Sequence, residues 1–80
     1  MKHIGNLIKQ VFDRQPRYCT VSWFAGQLNC HRSNVYDIFN RNTIDCELLL
    51  KVSRVLNHNF FYDLASDVDI EPDQHDRHQA

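Results

Sequence analysis

An all-α domain of four to five short helices is what this 80-residue chain predicts. Apolar residues recur at helical spacing from residue 4 to residue 64, and no stretch alternates with β period over a useful length. Residues suited to capping helices stand between the apolar runs. Eighty residues allow one compact domain, near the lower end of what a single core stabilises. An apolar fraction of 42% is adequate for that core.

The first helix is expected from Ile4, Leu7, Ile8, Val11 and Phe12, which fall at i, i+3, i+4, i+7 and i+8 on one face. It breaks at residues 15–19, because Pro16 disfavours helix at the residue before it and has no N–H for the ladder. Thr20 is the N-cap of a second helix over about 21–28, with Phe24, Ala25 and Leu28 inward. Asn29 ends it, since asparagine tolerates the left-handed conformation that helix C-termini often need. A third helix over roughly 32–40 turns Val35, Ile38 and Phe39 inward, and residues 41–44 are polar enough for a loop. Asp45 caps a fourth helix over about 46–56, with an apolar stripe of Leu48, Leu49, Val52, Val55 and Leu56. Asn57 and His58 interrupt, and Asn59 caps a last short turn or helix through Phe60, Phe61, Tyr62 and Leu64.

Charge divides along the chain. Residues 1–62 carry eight basic and four acidic side chains, a net of +4. Residues 63–80 carry six acidic side chains against Arg77 alone, a net of −5. A basic body with an acidic tail is common among nucleic-acid binders, although solvated surface charge explains such a split equally well. Residues 67–80 retain little apolar content beyond Val68 and Ile70, so they are expected to form a disordered acidic tail behind a domain of residues 1–66. Cys19, Cys30 and Cys46 are an odd number without a close pair, which speaks against a disulfide framework and for a reducing, cytoplasmic setting. No run approaches the roughly 18 to 20 apolar residues of a membrane span, and the first residues lack a signal peptide's apolar centre.

Residues 21–40 are the informative stretch. In a helix-turn-helix, two short helices cross steeply about a tight turn, which restricts certain positions. The fifth residue of the unit must be small, and Ala25 stands there. The ninth sits in the turn with positive φ, and Asn29 stands there in place of the usual glycine. The core-facing fourth, eighth, tenth, fifteenth and eighteenth positions hold Phe24, Leu28, Cys30, Val35 and Ile38. With Phe39 and Asn40 ending the third helix and a Leu-rich fourth, residues 20–56 resemble the phage-repressor, Cro or XRE-type helix-turn-helix domain. Including the first helix, the resemblance covers about residues 3–65. It implies a lambda-repressor-like fold of five helices that commonly binds DNA as a dimer. Val21 stands where the family often has glutamine, and Phe39 where an acidic residue is common.

The expected function is sequence-specific binding of double-stranded DNA and transcriptional regulation, with the third helix in the major groove. Its outward residues His31, Arg32, Ser33, Tyr36 and Asp37 are the candidate base readers. Arg32 suits guanine O6 and N7, Ser33 donates or accepts, Tyr36 packs on a thymine methyl or reaches a phosphate, and Asp37 accepts from cytosine N4. An i, i+4 ion pair with Arg41 is the alternative for Asp37. Phosphate candidates are Thr20 and Ser22 at the start of the second helix, Asn34, Asn40 and Arg41, and the more outlying Arg17, Asn42 and Thr43. Trp23 either donates to a phosphate or closes the edge of the core. Phe60, Phe61 and Tyr62 exceed what one short helix buries, so the surplus aromatic surface is expected to help form a homodimer.

Other chemistries fit less well. Structural zinc sites use close-spaced ligand pairs, whereas Cys30 takes a core position and His75 and His78 fall in the tail. No glycine-rich phosphate loop or nucleophile elbow is present. The chain is therefore expected to be no enzyme and to need no metal or cofactor. The rival is a protein-interaction module on the same fold, such as an adaptor or antitoxin-like subunit.

Overall fold

In the computed structural model, which describes residues 3–66, five helices follow one another without a strand among them. The first, α1 (Ile4–Asp13), is capped by His3, whose Nδ1 accepts the Asn6 N–H at 3.1 Å. Gln15 helps to close its other end by donating from its side chain to the Val11 carbonyl at 3.2 Å, one residue before Pro16. Thr20 caps α2 (Val21–Leu28), its Oγ1 accepting the Trp23 N–H at 3.1 Å. Asn29 then turns left-handed, with φ 57° and ψ 49°, and the Cys30 N–H reaches back to the Ala25 carbonyl at 2.9 Å. That six-to-one wrap satisfies a carbonyl that a helix end would otherwise leave open.

Only residues 29–31 separate α2 from α3 (Arg32–Phe39), which stops one residue short of the expected 40 because Asn40 serves as its C-cap. Asp45 caps α4 (Cys46–Leu56) by accepting the Leu48 N–H at 3.0 Å. Glu47 in the first turn and Arg54 in the last complement the helix dipole. At its far end Asn57 repeats the Asn29 device, with φ 52° and the His58 N–H on the Ser53 carbonyl at 3.0 Å. The last helix, α5 (Phe60–Ala65), is capped by Asn59, whose side chain accepts the Tyr62 N–H at 3.2 Å. Residues 67–80, the expected tail, lie outside the described residues.

The core follows from the apolar spacing. Ile4, Ile8 and Val11 of α1, Phe24, Ala25 and Leu28 of α2, and Val35, Ile38 and Phe39 of α3 are all buried. Leu49, Val52 and Leu56 of α4 and Phe60 of α5 complete the cluster. Helices α1 and α2 pack against both α3 and α4, and α5 lies on α4. Three rings knit the first three helices, with Phe12 5.3 Å from Phe24 and 5.5 Å from Phe39. His58 and Asp63 tie α5 to the end of α4 through a 2.6 Å contact, and the His58 ring leans on Phe60.

One contact fixes how α3 is held. Gly5 is buried where α1 begins, and its N–H donates to the Arg41 carbonyl just beyond α3 at 3.0 Å. A methyl group added at Gly5 would strike the Phe39 carbonyl and come within 2.6 Å of the Ile38 carbonyl oxygen. Glycine is required here by close backbone approach, with no unusual φ involved.

Candidate nucleic-acid interface

Burial of Val35, Ile38 and Phe39 decides which side of α3 faces out. At about 100° per residue, Ser33, Tyr36, Asp37 and Asn40 form the outward stripe, with Arg32 and Asn34 on its flanks. His31 precedes the helix as its N-cap in extended conformation, and its side chain makes no capping hydrogen bond. Tyr36 is half-exposed and rests edge-on against Phe39, 6.3 Å between ring centres, which steadies its phenol at the surface. All five candidate base readers and all eight phosphate candidates are exposed. Asn40, a phosphate candidate by sequence, shares the central stripe with the base readers.

Helix α2 presents its start to solvent as well. Thr20 engages the Trp23 N–H, and the preceding N–H groups of Val21 and Ser22 have no acceptor within the helix. Trp23 itself is partly buried against the core, its ring 6.4 Å from Phe24, so it closes the core's edge. Cys30, expected inward, is only partly buried there.

The charges on this side are unpaired among the described residues. Among the described residues the ion pairs are Lys9–Asp13 at 2.7 Å and His58–Asp63 at 2.6 Å. Arg17, Arg32 and Arg41 have no carboxylate partner among the described residues, and Asp37 makes no ion pair with Arg41. Asn34, Asp37 and Arg41 instead line a cleft of about 270 Å³ floored by Leu28, Ile38 and Leu48. Asn42 and Thr43 continue from Arg41 along the loop into α4, where they share a second cleft, of about 220 Å³, with Leu64 of α5. The last helix therefore ends beside the loop that carries three of the phosphate candidates.

A second surface lies on the α4–α5 side. Leu50, Phe61 and Tyr62 are exposed at 42%, 37% and 75%, and Leu50 and Phe61 flank a shallow groove shared with Arg54, Asn57 and His58. Of the aromatic trio, Phe60 is wholly buried and the other two are left outside. Leu50 was not among the residues singled out by sequence, although the signal was there in a leucine falling off the apolar stripe of α4. No three His, Cys, Asp or Glu side chains converge as a metal site among the described residues, and none of their helices is long and apolar enough to cross a membrane. Compared with protein-family models, curated proteins and solved structures, the chain matches none.

Proposed function

We propose that the chain binds double-stranded DNA sequence-specifically and regulates transcription, acting as a homodimer that inserts α3 into the major groove and catalyses no reaction. The observation that carries this reading is the outward stripe of α3, polar along its length and without an ion pair among the described residues, on a helix held from behind by α1 and α2. Eight residues make a rod about 12 Å long, and side chains at the N-terminal end of such a helix reach base edges in a groove about 12 Å wide. Arg32 bonds to guanine, Ser33 and Tyr36 read beside it, Asp37 accepts from cytosine, and His31 lies at the entry. The open start of α2, with Thr20 and Ser22, takes a phosphate. Asn34, Asn40, Arg41, Asn42, Thr43 and the more distant Arg17 hold the flanking strand.

The Leu50, Phe61 and Tyr62 surface is the site of pairing. A two-fold dimer sets the two α3 helices about 34 Å apart and calls for a near-palindromic site. Three free thiols, one of them exposed at Cys46, suit a reducing compartment, and we assign the protein to the cytoplasm.

Selection of bound duplexes from a random pool, followed by salt titration of the selected site, tests the proposal. A consensus with two-fold symmetry and an affinity that falls steeply with salt is expected. A second reading, a protein-interaction module, is favoured by Asp37, an acid in the middle of the exposed stripe with no ion pair among the described residues. Failure to enrich any duplex, with no affinity for generic DNA even at low salt, would decide for it.

A further inference from the structure

The cleft of about 270 Å³ beside α3 is polar at its rim and apolar beneath. Asn34, Asp37 and Arg41 line it and are exposed. Ile38 and Leu28 line it and are buried, and Leu48 from the first turn of α4 is partly buried there. Asn34, Asp37, Ile38 and Arg41 follow one another at i, i+3, i+4 and i+7, so the polar rim comes from one side of α3 and its end. Two opposite charges on that rim lie four residues apart. Neither makes an ion pair, with the other or with any described residue. A negative and a positive group, held close together above an apolar floor, thus both stand open to a third party.

We propose that this cleft binds a free apolar α-amino acid. Each part of such a molecule meets its complement. The Arg41 guanidinium donates to the carboxylate, the Asp37 carboxylate accepts from the ammonium, and the side chain covers Leu28, Ile38 and Leu48. Because the two charges share one side of the rim, the charges of the guest must also be close together. An α-amino acid meets that demand, and a chain with its charges at opposite ends does not. The cleft is smaller than the roughly 300–1,000 Å³ of sites for drug-sized ligands, so its guest is small. Contacts at the exposed rim weaken with salt, while burial on the floor does not. Binding itself does not depend on DNA. Its consequence rests on the proposed DNA function, since Asp37 and Arg41 are the side chains assigned there to a base and to a phosphate. Amino acid and duplex therefore compete for them, and each weakens the other by the same factor.

The test titrates the full chain, without DNA, with L-leucine and with L-phenylalanine while amide and methyl NMR signals are recorded. Saturable shifts are expected at Cys30, Asn34, Asp37 and Arg41, and at the methyl groups of Leu28, Ile38 and Leu48. The amides of the two amino acids lack the carboxylate, and isocaproate and hydrocinnamate lack the ammonium. These analogues should bind at least about tenfold more weakly, since each loses a hydrogen bond between charged groups. Asp37→Asn and Arg41→Gln should weaken binding to a similar degree. Both change exposed side chains, and the dispersion of the remaining signals reports folding in the same samples. No saturable shift with either amino acid overturns the site. So do shifts centred on Leu50, Arg54 and Phe61, or analogues and variants that bind as well as the originals. With the amino acid saturating, affinity for the selected duplex is expected to fall about five- to tenfold. A duplex affinity indifferent to the bound amino acid overturns the shared use of Asp37 and Arg41. If the amino acid binds as expected and no duplex binds in its absence, the site stands and the DNA function fails. If a duplex binds and neither amino acid does, the DNA function stands and the site fails.

Discussion

Asn29 and Asn57 are the two residues with positive φ among those described, and both end helices by the same wrapped hydrogen bond. Asparagine accepts that conformation at small cost because its short polar side chain tolerates it. Ser53 sits near the second of these turns with a buried Oγ that has no hydrogen-bond partner among the described residues. A buried, unsatisfied hydroxyl costs about 1–3 kcal/mol, and alanine is also the better helix former. Ser53→Ala should therefore raise thermal stability by an amount equivalent to about 1 kcal/mol, and a lower melting temperature would reveal a partner for the hydroxyl. On the proposed interface, Arg32→Ala should lower affinity for the selected site by about 1–3 kcal/mol and relax preference at one base pair. Arg41→Ala should weaken binding evenly across sequences and flatten its salt dependence. Site preference and salt slope untouched by both changes would place the docking face elsewhere. Thr20, Asp45 and Asn59 were legible as caps because each acts within three residues of itself. The Ser53 orphan was not, since it depends on what surrounds the α4–α5 junction in space.

Helices α2 and α3 meet across only three intervening residues, and Ala25 is buried where they do so. Ala25→Leu would force extra carbon atoms into that seam at a cost of about 1–3 kcal/mol, and is expected to unfold the domain or displace α3. Circular dichroism and melting would register the first outcome. A folded variant with undiminished DNA affinity would count against α2 and α3 working as a unit. At this scale the apolar spacing was informative to within a residue at most helix ends, because each buried face repeats with the helical period. The registry between helices was less so. That Asp37 would line a cleft with Arg41 at a distance, rather than pair with it, depends on rotamers that spacing does not contain.

For the molecule as a whole, the division between an outward α3 and an exposed apolar patch on α4 and α5 separates the proposed DNA face from the proposed pairing face. Phe61→Asp combined with Leu50→Asp changes two side chains already at the surface, so the fold should survive while association is lost. Sedimentation of the free protein should move from dimer to monomer, and affinity for the two-fold site should fall far more than affinity for a single half-site. A wild-type chain that sediments as a monomer, alone and on DNA, would exclude pairing. The surplus of aromatic residues was readable in the sequence, but which of them the core would consume was not. Phe60 points into a space that α4 closes, a fact of packing between helices that no spacing along the chain contains.

The seat of Gly5 against the end of α3 also sets what random substitution can do to this protein. Its two glycines face opposite prospects. At Gly26 an added methyl meets nothing within 4 Å, and glycine inside a helix is a handicap of about 0.5–1 kcal/mol relative to alanine. At Gly5 the same methyl collides with two backbone carbonyls, which have no rotamer by which to yield. Gly26→Ala should therefore stabilise the fold by about 0.5–1 kcal/mol, and Gly5→Ala should destabilise it by about 1–3 kcal/mol. In a library of single variants sorted for folding, position 26 should admit most residue types and position 5 almost none. The variants that do survive at position 5 should be those in which the end of α3 has moved, and with it the cations that flank the proposed groove face.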